Sequence, residues 1–222
     1  MDRGDKGQLS HPILQAGAAF ALAAFFLAGC SSVAGALLAP RIDAAASRLA
    51  PGDFTLDTKH AALLFRINHL GFSDYAGRFD RFEASLSGDA ANPAGARVEA
   101  IIDMSSLNIA NPEFAAELMG PAWFDAAAHP QAVFKSTTIE LTSQTTAEIT
   151  GDLTLKGITR PITLTAKLNG SAYDPLRRAD VIGFSAEAEI NRSGFGIDRF
   201  SGLLTDTVRI EIEAEFIRQK PG

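Results

Sequence analysis

From Asp53 onward the dominant period of the chain is two. In "TVRIEIEAEF", Val208, Ile210, Ile212, Ala214 and Phe216 alternate with Arg209, Glu211, Glu213 and Glu215. Such alternation sets one face of an extended strand against an apolar interior and the other in water. "VIGFSAEAEI" repeats it with Phe184, Ala186, Ala188 and Ile190, "ALLFRINH" with Leu63, Phe65 and Ile67, and "ARVEAIID" with Val98, Ala100 and Ile102. "GDLTLKGITRPITLTAKL" reads as two arms, Leu153 and Leu155 on one and Ile162, Leu164, Ala166 and Leu168 on the other, joined by Lys156 to Pro161. Strands are expected near residues 53–58, 61–70, 76–88, 95–104, 131–142, 145–156, 160–170, 181–191 and 206–217. Eight or nine short strands separated by Gly, Asn and Pro predict an all-β barrel or sandwich with antiparallel neighbours.

One segment departs from that period. "NPEFAAELMGPAWFDAAAHP" offers Asn111 as an N-cap, Pro112 at the first helical position and Gly120-Pro121 as a stop, the signature of a short helix. A second turn is expected from Trp123 to Ala127, giving a helical insertion near residues 111–127. Its Phe114, Leu118, Met119, Trp123 and Phe124 require an apolar partner, either the open end of the sheet or a ligand cavity.

The N-terminus belongs to a different class. An apolar run from Ala16 to Leu27 ends in Leu27-Ala28-Gly29-Cys30-Ser31, the pattern of a secretory signal peptide and too short for a comfortable membrane span. Leu-Ala-Gly-Cys resembles a bacterial lipobox. That resemblance implies cleavage before Cys30 and acylation of it, and Ser31 after the cysteine resembles an outer-membrane destination. The expected organisation is a signal peptide over 1–29, a lipidated tether over 30–52 and a folded domain over 53–218. Cys30 is the only cysteine, so an intrachain disulfide is impossible and a cysteine zinc site is not expected.

Composition narrows the function classes. The formal net charge is −6 over 222 residues, with no basic run to neutralise phosphates, which argues against nucleic-acid binding. Hydrophobic residues make up 46%, as in folded proteins. No nucleophile elbow, phosphate loop or close ligand set is present, so neither catalysis, a cofactor nor a metal is expected. His60 and His69 stand nine apart, on opposite faces of a regular strand. The Glu211, Glu213 and Glu215 stripe reads as a solvated outer face. There are 15 Phe but 2 Tyr and 1 Trp. Phe carries no polar handle that needs a partner, so this many on inner faces suits either a filled core or a barrel holding one apolar ligand.

Several dispersed motifs, in order, resemble the YceI-like family of bacterial envelope proteins. "FTLDTKHAALLFRINHLGFSDYAGRF" is similar to its opening pattern, followed by "SSLNI", "WFDAAAHPQAVFKSTTI", "GDLTLKGITRPITL" and "INRSGFGI". The resemblance spans Phe54 to Phe216. It implies an eight-stranded, lipocalin-like antiparallel barrel that binds a long isoprenoid lipid, of quinone or polyprenyl type, without reacting with it. Ala61, Glu117-Leu118-Met119, Trp123 and Gly194 depart from the family pattern.

The expected apolar lining is Phe65, Ile67, Phe79, Phe82, Trp123, Phe124, Phe134, Phe184 and Phe195, with His60 and Arg192 as polar contacts near a mouth. The expected partners are an isoprenoid lipid, a membrane through Cys30 and, through an exposed strand, a second copy in a homodimer. An envelope enzyme acting on a prenyl lipid, or a packed interaction module, are the competing readings. Labelling with a radioactive fatty acid should mark the protein and fail to mark a Cys30→Ala variant.

Overall fold

The computed structural model describes residues 42–43, 51–89 and 92–219. The expected signal peptide, Cys30 and most of the tether lie outside them. The strands are β1 (Gly52–His69), β2 (Ser73–Phe79), β3 (Phe82–Asp89), β4 (Asn92–Asp103), β5 (Leu107–Ile109), β6 (Gln131–Leu141), β7 (Thr146–Leu155), β8 (Ile158–Asp174), β9 (Ala179–Asn191) and β10 (Leu204–Arg218). One helix, α1 (Pro112–Leu118), separates β5 from β6.

All named pairings are antiparallel. They run β10-β9-β8-β7-β6-β4-β3-β1, and β10 also pairs β1, which closes the ring. β2 and β5 are the upper halves of bent staves. β1 pairs β3 at Gly52 to Thr55 and β2 at Leu63 to His69, while β5 pairs β2 at Gly77 to Phe79. The barrel therefore has eight staves, the expected fold.

The bends in the two staves are tied together. Asp80 N–H donates to Ser106 O at 3.0 Å, and Asp103 N–H to Arg81 O at 3.1 Å. Arg81 Nε donates to Asp103 Oδ2 at 2.9 Å and its Nη2 to Ser105 Oγ at 2.8 Å. The two serines of "SSLNI" thus satisfy polar groups that each break would otherwise leave open.

Two expected strands, 53–58 and 61–70, are one. β1 passes through a bulge in which Asp57 to His60 stand opposite Glu215 alone, because Leu56 pairs Phe216 and Ala61 pairs Ala214. Extra residues of this kind bend the strand and raise its twist. The 76–88 segment splits at Asp80-Arg81 for the reason above.

The β7–β8 connection is shorter than expected. Leu155 pairs Ile158 across Lys156-Gly157, whose φ values of 52° and 73° make the primed two-residue turn that suits strand twist. Pro161 lies within β8, opposite Asp152. Counting from the turn, its nitrogen faces away from β7, and β9 pairs β8 only from Thr165 onward. Its missing N–H leaves no ladder bond unmade.

The inner face carries the core. On β8, Leu164, Ala166 and Leu168 are buried while Thr163, Thr165 and Lys167 are exposed. The ring closes through β10 and β1, and Ile158 to Leu164 of β8 pair β7 alone among the named strands, because β9 joins β8 only from Thr165. N-terminal to the barrel, Asp43 exchanges backbone hydrogen bonds with Ser171 of β8 at 2.9 and 2.7 Å.

At Gly77 of β2 neighbouring side chains leave no room for a Cβ. A Cβ there would overlap the Phe65 ring and Ile109. Gly77→Ala should lower stability by about 1–3 kcal/mol through overpacking, read as a lower urea midpoint with an unchanged slope.

Candidate functional site

The inner faces do not fill the barrel. They enclose a cavity of about 770 Å³, within the range of about 300–1,000 Å³ typical of ligand sites. Along β9 its lining runs from Ile182 to Ile190, about 26 Å of strand at a rise of about 3.3 Å per residue. At one end it reaches Leu70, Asn111 and Leu203, and at the other Asp89, Leu141 and Thr145. The polar side chains among the lining residues are few: Tyr75, the indole of Trp123, and Arg192 toward the α1 end, with His69, Asn111, Asp89, Thr145 and Thr146 at the rims.

The α1 end is built from aromatic rings. Asn111 caps the helix, its Oδ1 accepting from Phe114 N–H at 3.1 Å, and Pro112 stands in the first turn. Phe114 meets Tyr75 and Trp123 edge-on, with centroids 5.9 and 5.8 Å away, and Phe79 meets Phe124 at 6.2 Å. The helix ends at Leu118. From Pro121 to Ala128 the chain forms turns, where a second turn was expected, so the helical part of the 111–127 insertion is α1 alone; Trp123 and Asp125 N–H both donate to Gly120 O. Phe114, Leu118, Trp123 and Phe124 all line the cavity, so the insertion both covers the barrel end and lines its interior.

Two departures from the family pattern explain each other. Trp123 adds an indole N–H that needs an acceptor when buried. Glu117 supplies it, with Oε1 at 3.2 Å, and lies 3.6 Å from Arg199 Nε.

Of the side chains expected to line a ligand site, Phe65, Ile67, Phe79, Phe82, Trp123, Phe124, Phe134 and Phe184 lie on the cavity wall. Phe195 does not. It is 2% exposed in the 3-10 turn after β9 and packs in the main apolar cluster. Arg192 is 4% exposed and borders the cavity, but its guanidinium is engaged with backbone. Nε donates to Thr205 O at 3.0 Å, Nη1 to Ile197 O at 2.7 Å and Arg199 O at 2.8 Å, and Nη2 to Leu204 O at 3.5 Å. It organises the β9–β10 connection, as buried polar groups commonly do. Sequence alone does not show this, because the acceptors are main-chain carbonyls brought together by one loop.

His60 is placed outside the barrel, on the β1 bulge, and is not among the lining residues. Its Nδ1 lies 2.8 Å from Asp57 Oδ2 and 3.2 Å from Arg177 Nη2. Arg177 also reaches Glu215 at 2.6 Å, Asp174 at 3.3 Å and Asp57 at 3.6 Å. Asp57, His60 and Glu215 have the spacing of a metal site among the described residues. A guanidinium already stands as the cation among them. The Glu stripe on β10 likewise has lateral partners: Glu211 with Arg66 at 2.8 Å, Glu213 with Ser185 at 2.7 Å and Glu215 with Arg177.

Burial would raise the Asp57 pKa, but hydrogen bonds from His60 and Lys59 N–H, with the charges of His60 and Arg177, together hold it below its ordinary value. Asp103 is lowered by hydrogen bonds from Ser105 and Arg81. A carboxylate depressed in the fold stabilises above its unfolded pKa and loses that contribution as pH falls through the folded value. Asp57→Asn and Asp103→Asn should each lose less stability than the parent between about pH 5 and about pH 2, measured by urea midpoints across that range.

The cavity makes its own prediction. Phe184 stacks edge-on against Phe216 at 6.1 Å and faces the interior. An unpaired carboxylate there costs several kcal/mol. Phe184→Asp should therefore weaken an apolar fluorescent probe by at least about 10-fold, while Phe184→Leu retains most binding, by titration of probe fluorescence.

Comparison with known proteins agrees with this geometry. The YceI-like domain matches residues 54–216. Protein YceI of Escherichia coli O157:H7 is 37% identical over 172 residues, covering 76% of this chain and 88% of that one. The Campylobacter jejuni YceI crystal structure superposes with a TM-score of 0.62 at 27% identity, covering 69% and 91%. A Saccharophagus degradans structure described as a polyisoprenoid binding domain gives 0.57 at 13%, covering 75% and 98%, a likeness of fold. An antiparallel eight-stave barrel with one short helix, an apolar interior and a family match across the whole ring place this chain in the YceI-like family.

Proposed function

We propose that this protein binds and carries a long isoprenoid lipid, of quinone or polyprenyl type, in the bacterial cell envelope, tethered there by acylated Cys30. The observation that carries the reading is the long, apolar and incompletely filled cavity. A chain of methyl and methylene groups gains about 25 cal/mol for each Å² of apolar surface it removes from water. The same chain restores dispersion contacts that a void denies its lining. A polar ligand would find too few partners along the staves. The polyisoprenoid binding domain of the Saccharophagus structure supports the ligand class by likeness of fold.

The family and the cavity favour binding over catalysis. Among the described lining residues the titratable groups are His69, Tyr75, Asp89 and Arg192. Asp89 is at the far rim, and Arg192 is engaged with four carbonyls. No acid and base converge on one point, as proton transfer to a bound substrate requires.

Mass spectrometry of an organic extract of the protein, purified without delipidation, should show one isoprenoid compound near one per chain. An extract without lipid, from a protein that also takes up no prenyl compound when offered it, would contradict the proposal.

A further inference from the structure

One lining side chain does not fit a cavity made only for a tail. Among the described residues, Tyr75 Oη is the buried side-chain polar atom with no hydrogen-bond partner in the protein. Tyr75 is on β2, opposite Ile67 of β1. It lines the cavity on the same face as Phe79, beneath Phe114 of α1. Phe would fill the same space without a buried hydroxyl, and this chain uses Phe on nearly every other inner aromatic position. The second tyrosine, Tyr173, is 58% exposed. A phenol kept unpaired in an apolar wall is costly unless something else pairs it.

The surrounding charge limits what that partner is. Among the described lining residues the basic side chains are Arg192, whose donors four carbonyls hold, and His69 out at the rim. Near this end Lys156 donates to Gly196 O at 2.8 Å, Arg160 to Gly194 O at 3.2 Å, and Arg199 sits over Phe200. None of these three lines the cavity. A diphosphate would find no free lining guanidinium or ammonium to pair its charge beside Tyr75, whereas a neutral carbonyl needs a single donor, which a phenol supplies.

We infer that Tyr75 is the head-group-selecting residue of the cavity, donating to a neutral carbonyl oxygen beneath α1, with the tail running toward the Leu86 and Leu141 end. The inference rests on the proposed isoprenoid reading and adds both the head-group class and the direction of binding.

The test compares the full protein with Tyr75→Phe, using a prenylated benzoquinone, a prenyl diphosphate and a headless prenyl hydrocarbon of similar length. The parent should bind the quinone more tightly than the diphosphate. Tyr75→Phe should weaken the quinone by about 10-fold, the scale of one hydrogen bond left unmade in an apolar site, and leave the hydrocarbon unchanged. The ligand-free variant should melt no lower than the parent, since it loses an unpaired polar group. Equal weakening of quinone and hydrocarbon, an unchanged quinone affinity, or a preference for the diphosphate would each overturn the inference while leaving isoprenoid binding intact. Failure of the parent to bind any of the three would overturn both.

Discussion

Closure of β1 onto β10 is the constraint on which the rest depends. An open sheet with this inner face would expose unpaired backbone groups and a wide apolar surface. Once the ring closes, every stave has a hydrogen-bonded neighbour on both sides over at least part of its length, and the interior no longer has to be full for the wall to hold. That separation lets one sequence maintain both a stable shell and a space inside it. The β1 bulge is part of the same solution. It lets β1 keep Phe54 and Leu56 inward at one end and Leu63 to Ile67 in register at the other, while Asp57 to His60 meet Arg177 and Glu215 outside.

The α1 end shows how polar residues are used to shape an apolar cavity. Asn111 and Glu117 direct their hydrogen bonds to Phe114 N–H and the Trp123 indole, while Arg192, Ser105 and Ser106 bond within the loop and the stave breaks beside them. Tyr75 stands apart from this pattern, because its hydroxyl meets no protein group. The interior is thereby divided into a polar point under the helix and a long apolar remainder.

Most of the fold was legible because a half-buried strand writes its two faces into alternate residues. β8, β9 and β10 carry that alternation almost without interruption, and their inward residues are those expected. The misses come where an irregularity interrupts the count. Four residues standing opposite one made β1 look like two strands. A two-residue turn followed by Pro161 made the β7–β8 connection look longer than it is, since proline commonly marks a break and here falls where no ladder bond is needed. The apolar lining was readable for the same reason as the strands, apart from Phe195, whose 3-10 turn has no period of two. Polar roles were the least legible. His60 and Arg192 are chemically suited to a ligand, yet one lies outside on a bulge and the other is claimed by carbonyls. Tyr75 carried no sequence signal beyond the scarcity of tyrosine.

The central claim is that the chain-binding surface is the inside of the barrel, reached along its axis. Isotope-filtered nuclear Overhauser contacts between a bound prenyl chain and assigned side chains would test it most directly. Contacts from prenyl methyls to Phe134 of β6, Ile162 and Leu164 of β8 and Phe184 of β9, all on the cavity wall, are the predicted result. Contacts confined to outward residues such as Thr163 and Lys167, which are exposed on β8, would contradict it.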